Sequence, residues 1–390
     1  MSGPSVSSVL ADIQKKSGLK IGSFDDVVSG VKVITTGNIA IDYVTSVGGI
    51  PMGRITELYG LPGSGKTTTA LQAAARLQKK IIQSGEEEYI LYLDYEHALD
   101  LNYSKALGLD TNHPSFLLVQ PAWLEEGAEA ALRLIETGQV RMSIWDSVAG
   151  MTPKALQDGD FDQRTSAMNR ARLLAGLFQR LNASLYDNNS CGVFLNHLME
   201  EVAMTGARPG MPPKVTTPGG KSLKYYASLR LEYRQVKVIK GDVFDRLTGE
   251  TVARSVATQV KVKAVKNKVG NPFREAEVRV RYGHGFDNFW SSLQVLISYG
   301  KVKNTGGYYY FDDPDLVTDE MESLGSGRRY VRGEGSILDF ADAHVIWRST
   351  IITTATRLVD SGADVPARSK DPVTSLVGDG DADLLTVDES

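Results

Sequence analysis

The chain has 390 residues, of which 42% are hydrophobic and 23% charged, with a formal net charge of -4. That length supports two to three domains with a sizeable core. No apolar run reaches the roughly 18 residues of a membrane span, and a lone cysteine, Cys191, excludes a disulfide scaffold and a cysteine-cluster zinc site.

The start, Met1 to Ser8, lacks the basic flank and apolar stretch of a secretion signal, which predicts a cytoplasmic protein. Residues 1–35 offer one short helical pattern, Val6 to Lys16, followed by Gly-rich and β-branched sequence. This is too little apolar surface for an independent core, so the segment is expected to dock on something else. From Thr36 to Tyr282, strand and helix signals alternate. Arg54 to Tyr59 reads as a strand and Thr67 to Lys80, rich in Ala, Leu and Gln, as a helix. Tyr89 to Leu93 is a buried strand, Leu124 to Glu136 a helix and Val140 to Trp145 another strand. Such alternation predicts an α/β fold with a mostly parallel central sheet and helices on both faces.

Gly60-Leu-Pro62-Gly63-Ser64-Gly65-Lys66-Thr67 fits G-x-x-x-x-G-K-[ST] between that strand and that helix. Its glycines let backbone N–H groups, joined by Thr68 at the helix start, curl around phosphate oxygens, with the helix N-terminus adding positive potential. Lys66 would reach the β- and γ-phosphates and the Thr67 hydroxyl a Mg²⁺ ion. Asp146, closing the strand that ends Ile144-Trp145, stands where a carboxylate holds the Mg²⁺ shell. Glu96, after the strand ending Leu93-Asp94, can accept a proton from an attacking water; the alternative is a surface acid at a strand end. All three motifs fall at the carboxyl ends of parallel strands, where such sheets bind ligands. The ligands expected are ATP and Mg²⁺.

Between Gly206 and Gly220, eight of fifteen residues are Gly or Pro, which predicts a long loop without helix or strand. From Lys221 to Arg281 there are fifteen Lys/Arg against six Asp/Glu, a local +9 that leaves -13 on the rest of the chain. Residues 371–390 carry six acids and no base. A basic block beside an acidic tail points to a polyanion partner; the alternative is a solvated strand face and a solubilising tail. The expected organisation is residues 1–35 as an N-terminal polymerisation segment and 36–285 as the nucleotide-binding core. Residues 286–360 form a small α/β domain and 361–390 an acidic disordered tail.

These segments, in this order, resemble the RecA family of homologous-recombination proteins from about residue 33 to 312. The resemblance is carried by Gly48-Gly-Ile-Pro-Met-Gly-Arg54, Asp94-Tyr-Glu-His-Ala-Leu-Asp100, Asp146-Ser-Val-Ala149, Gly219-Gly-Lys-Ser-Leu-Lys-Tyr225, Val265-Lys-Asn-Lys268 and Tyr282-Gly-His-Gly285. It implies a RecA-type ATPase that forms filaments on single-stranded DNA and exchanges strands with a homologous duplex. Glu96 matches the catalytic glutamate, and Asp100 and Tyr103 the adenine contacts. Lys266 and Lys268 match lysines that reach a neighbouring subunit's nucleotide; on spacing alone they are two solvated lysines on an edge strand. Tyr282 and Gly283 are expected at the same interface. Residues 158–168, with Arg164, match the first DNA-binding loop. Residues 198–218, with Met204, Arg208 and Lys214, match the second, which ends at Gly219 and Gly220. Arg172 matches a phosphate contact.

His197, in Asn196-His197, matches the γ-phosphate sensor, where bacterial relatives carry Asn-Gln and some phage recombinases Asn-His; this leans the reading towards a phage-encoded recombinase. Self-assembly, double-stranded DNA, a single-strand-binding protein and a loading mediator are the partners implied. The competing readings are a ring helicase or nucleotide kinase, disfavoured by the lysine pair, and a recombination mediator, disfavoured by Glu96.

Overall fold

The structure, a computed structural model, describes residues 5–17, 30–156, 163–200, 215–245, 249–322 and 329–361. In chain order the first elements are α1 (Val6–Ser17), β1 (Val33–Ile34), α2 (Ile39–Thr45), β2 (Ile50–Pro51), β3 (Ile55–Gly60), α3 (Lys66–Ser84), β4 (Tyr89–Asp94), α4 (Leu101–Ala106), β5 (Phe116–Val119), α5 (Leu124–Glu136) and β6 (Val140–Asp146). They are followed by α6 (Gln163–Asp187), β7 (Cys191–His197), β8 (Met199–Glu200), β9 (Val215–Thr216), α7 (Gly220–Tyr226), β10 (Leu229–Asp245), β11 (Glu250–Asn267), β12 (Glu275–Arg281) and β13 (Gly285–Phe286). Beyond them lie α8 (Asn288–Ser298), β14 (Lys303–Thr305), β15 (Tyr308–Tyr310), α9 (Asp319–Glu322), β16 (Tyr330–Arg332), α10 (Glu334–Ala343) and α11 (Val345–Asp360).

Among the described residues, nine strands form one sheet in the order β13-β12-β11-β10-β3-β7-β6-β4-β5. From β10 to β5 every neighbouring pair is parallel, as helical crossovers dictate. The expected alternation stops there. β10 and β11 pair antiparallel along their whole lengths, so β11, β12 and β13 extend the sheet antiparallel.

The parallel strands are apolar on both sides, and the period of two divides them between two cores. Ile90 and Tyr92 of β4 and Val193 and Leu195 of β7 enter one core with Leu58 and Ala74. Leu91, Leu93, Trp145 and Phe194 enter the other with Phe178. There Trp145 stacks on Phe194 at 5.0 Å and Phe178 meets Phe194 edge-on at 5.2 Å. Truncating Phe194 to Ala would cost about 3–5 kcal/mol. Cys191 is a buried small hydrophobe at the start of β7, and burial raises its thiol above the ordinary range.

Helix α8 links the sheet to a three-stranded antiparallel unit, β14-β15-β16. Trp347 of α11 is fully buried between Phe311 (5.1 Å) and Phe340 (5.0 Å). The same apolar cluster runs from Val193 through Phe289 to Trp347, and Asn38 Nδ2 donates to Ser291 Oγ at 2.8 Å across residue 286. α1 exposes Val6, Val9 and Ile13. No helix among the described residues is long and apolar enough to cross a membrane. The C-terminal part of the expected Gly/Pro loop is ordered otherwise: Val215–Thr216 pairs with Met199–Glu200, and Gly220 begins a helix. Gly219 makes this possible, taking φ +91° as the N-cap, a conformation that favours glycine.

Candidate functional site

β3 delivers the chain to Gly60, where a Cβ would stand 2.3 Å from Tyr233 O, so only glycine fits. Gly63 (φ +71°) and Gly65 (φ +90°) bend the loop back into the start of α3. The first-turn N–H groups of that helix have no intrahelical partner and face the loop's concavity, a ready anion site. Lys66 lies across it, its Nζ donating to Gly60 O (3.0 Å) and Leu61 O (2.9 Å). Burial lowers the ammonium to about 8, opposed by Asp146 and Glu96. Ser64 Oγ donates to Leu61 O at 2.7 Å, Pro62 is exposed and Thr67 is half-buried.

A cavity of about 240 Å³ opens beside the loop, bounded by Gly63, Lys66, Thr67 and Thr68 and, from more distant chain, by Tyr103, Tyr282 and Gly283. Tyr103 is fixed by its hydroxyl contact with Thr68 Oγ1 (2.8 Å). Asp100 Oδ1 accepts from Tyr103 N (2.9 Å) as the N-cap of α4, so this oxygen serves the helix start. Tyr282, anchored to Thr258 Oγ1 at 2.6 Å, lies beside the P-loop of its own protomer.

Register brings the acids together, since Asp94 and Asp146 are neighbours on β4 and β6. Asp146 Oδ2 accepts from Tyr92 OH at 2.6 Å, and burial pushes its carboxyl up to about 6. Asp94 accepts from Ala98 N (3.2 Å) and Gln120 Nε2 (3.2 Å), closing the turn that carries Glu96. Glu96 Oε1 takes two donors, Ser147 Oγ and His197 Nε2, the latter at 3.2 Å. His197 is paired in register with Gly60, which sets the sensor strand directly beside the P-loop strand.

One residue earlier, Asn196 Nδ2 donates to Glu57 Oε1 (2.8 Å) and to Pro218 O (2.9 Å). Glu57 is fully buried on β3 and paired with Arg230 Nε at 2.5 Å. The P-loop strand, the sensor strand and the chain arriving at Gly219 therefore share one buried polar network. Sequence reasoning did not single out Glu57, Ser147, Asp94 or Arg230. The signal for Glu57 was available: a carboxylate inside an otherwise apolar strand is rarely buried without a partner.

The lysine pair lies elsewhere in the protomer. Lys266 Nζ donates to Lys224 O (2.6 Å) and Tyr225 O (2.9 Å), and Lys268 Nζ to Tyr225 O (3.2 Å), at the C-terminus of α7. Cations suit that end of a helix. Burial and the neighbouring Lys268 lower Lys266 to about 8. The tip of the opposite end of α7 carries Gly219 and Gly220. Arg172 is exposed on α6 and lines a groove with Glu125 and Glu129 of α5. Arg164 lies on α6, with its side chain outside the description, and Met204, Arg208 and Lys214 lie outside the described residues. So do the tail beyond residue 361 and residues 157–162 of the first loop.

Residues 5–287 match the family described as RecA N-terminal domain. The chain is 36% identical over 326 residues to Protein RecA of Streptococcus gordonii, covering 83% of this chain and 78% of that protein. It is 36% identical over 322 residues to Protein RecA of Streptococcus sanguinis, covering 80% and 79%. It is also 36% identical over 338 residues to Protein RecA of Streptococcus pneumoniae, covering 86% and 79%.

Proposed function

The chain belongs to the RecA family, and from that premise we propose how its own residues drive a recombinase. It is a RecA-like recombinase and a DNA-dependent ATPase. The observation that carries the assignment of its site is the convergence of Lys66, Asp146, Glu96 and His197 at neighbouring strand ends of one sheet.

The triphosphate lies in the loop from Gly60 to Thr68, held by first-turn N–H groups of α3 and by Lys66 once its ammonium turns from Gly60 O and Leu61 O. Tyr103 and Tyr282 bound the space beside Thr68, where a purine stacks against an aromatic face. The residues present suit Mg²⁺: Asp146 is a part-buried carboxylate raised by burial, a cost that a cation offsets, and the Thr67 hydroxyl is near the loop mouth. Asp146 and Thr67 would hold the ion, which would supply charge neutralisation for the phosphates. Glu96 accepts the proton of the attacking water, and Ser147 orients it. Lys266 and Lys268 complete the site of an adjacent protomer, and the strand ends at Asn196 and His197 tie the phosphate to the loop that returns at Pro218.

The protein polymerises on single-stranded DNA, pairs it with a homologous duplex and exchanges strands. It does so in the cytoplasm of a bacterial cell, one infected by the phage that encodes it, with a single-strand-binding protein and a loading mediator as partners. Two substitutions test the division of labour. Lys66→Ala should lose nucleotide binding and turnover together. Glu96→Gln should bind ATP and DNA but hydrolyse about 10²-fold or more slowly. Turnover by Glu96→Gln at the parent rate would refute the assignment.

A further inference from the structure

The contact between His197 and Glu96 has a stoichiometric consequence. A neutral imidazole has one N–H donor, and its other nitrogen only accepts. His197 Nδ1 is buried and has no hydrogen-bond partner among the described residues. A proton there would be an unsatisfied buried donor, whereas a bare lone pair costs less. The proton therefore belongs on Nε2, which stands 3.2 Å from Glu96 Oε1. Glu96 Oε1 also accepts from Ser147 Oγ, so one carboxylate oxygen is held from the ends of β6 and β7.

A γ-phosphate offers acceptors only. It needs the N–H that Glu96 already holds, and the ring has no second one to give. A carboxamide at this position would have two N–H groups and could serve both. From this arithmetic we propose that His197 is a latch on Glu96: its single N–H binds either the water-activating carboxylate or the terminal phosphate, never both. Phosphate sensing and release of the base are then one event. The proposal rests on the assignment of Glu96 and the P-loop above, and adds that the two acceptors compete.

The latch also has a mechanical outlet. Side chains alternate along β7, so Asn196 points away from Glu96 and holds Pro218 O at 2.9 Å and Glu57 Oε1 at 2.8 Å. His197 N donates to Asn196 Oδ1 at 3.0 Å, which ties the Asn196 side chain to the His197 backbone at the strand end. A shift of the His197 backbone as the ring leaves Glu96 for a phosphate would then reach Asn196, the residue that fixes the return of the second loop.

A double-mutant cycle on binding isolates the competition. The quantity is the ratio of the dissociation constant for ADP to that for a slowly hydrolysed ATP analogue, in the parent, Glu96→Ala, His197→Ala and the double variant. With a latch, Glu96→Ala frees the ring, and the ratio rises roughly tenfold, the worth of one charge-assisted hydrogen bond. In the His197→Ala background the same change leaves the ratio almost where it was. An equal rise in both backgrounds would show simple repulsion between Glu96 and phosphate and overturn the latch, as would no rise in either. Both outcomes leave the ATPase assignment intact, because that assignment is tested by turnover of Lys66→Ala and Glu96→Gln.

The imidazole gives an independent reading should a variant fail to fold. In full-length parent protein with ¹⁵N-labelled histidine, stripped of nucleotide, Nε2 of His197 should report as protonated and Nδ1 as bare. The Nε2 resonance should move with the ATP analogue and stay in place with ADP. A proton on Nδ1, or a resonance indifferent to the analogue, would overturn the proposal.

Discussion

The P-loop edge and the lysine pair contrast in how their charges are satisfied. At the P-loop edge, Lys66, Asp146, Glu96 and His197 come from four stretches of chain and meet within one protomer, because parallel strands deliver them to the same end of the sheet. Lys266 and Lys268 sit on the antiparallel extension, and their ammoniums rest on the last carbonyls of α7. The first group is assembled within a single protomer, beside the loop that starts α3. The second is a pair of cations engaged with their own helix terminus, on a surface where Tyr225 is 69% exposed. On the proposed division of the site, turnover would require two protomers to meet, which would tie hydrolysis to assembly.

The largest effect should come from separating the two halves. Changing both lysines to Ala should lower DNA-stimulated hydrolysis by about 10³-fold, the range of trans-acting cations in phosphoryl transfer. Mixing that variant with Glu96→Gln protein should restore part of the activity, since some interfaces then pair intact Glu96 with intact lysines. Steady-state hydrolysis across mixing ratios decides the matter, and no rescue in confirmed mixed assemblies would place both halves in one protomer.

Next in size is Glu57→Ala. It leaves Arg230 and Asn196 facing a buried gap and should destabilise the fold by about 3 kcal/mol, read as a lowered denaturant midpoint. An unchanged midpoint would mean that the network is dispensable.

A smaller effect concerns the +9 block and the six acids after residue 370. If the acids compete with DNA phosphates for Lys and Arg, truncation after Lys370 should raise duplex affinity about fivefold at low salt, with the gain shrinking as salt rises. Superimposed binding curves for full-length and shortened protein would end that idea.

The smallest is a pH shift. Lys266 is lowered to about 8 by burial and then by Lys268, so it is charged below that value and neutral above it. Hydrolysis dependent on Lys266 should fall as pH rises through about 8, and Lys268→Ala should move that limb upward. A limb that stays in place in the variant would separate the two lysines.

Much of the site was legible in the chain because its chemistry is local. Gly60 to Thr67 is contiguous, and a strand, a tight turn and a helix follow from residue types that leave the backbone few alternatives. Glu96 and Asp146 were legible as acids just past apolar strands, since parallel sheets present their ligands there. The antiparallel turn of the sheet after β10 was less legible, because β-branched runs look alike in either direction and only the connection decides.

Other features depended on distance in the chain. Glu57 lies 139 residues from Asn196 and 173 from Arg230, and Glu96 lies 101 from His197. No periodicity or spacing rule joins such partners; strand order and register do. The sequence alone determined which chemical groups this protein owns and the phosphate loop they are built around. Only the tertiary structure decided that His197 Nε2 stands against the Glu96 carboxylate and that two lysines rest on α7, because hydrogen bonds form between groups that the folded sheet brings within about 3 Å.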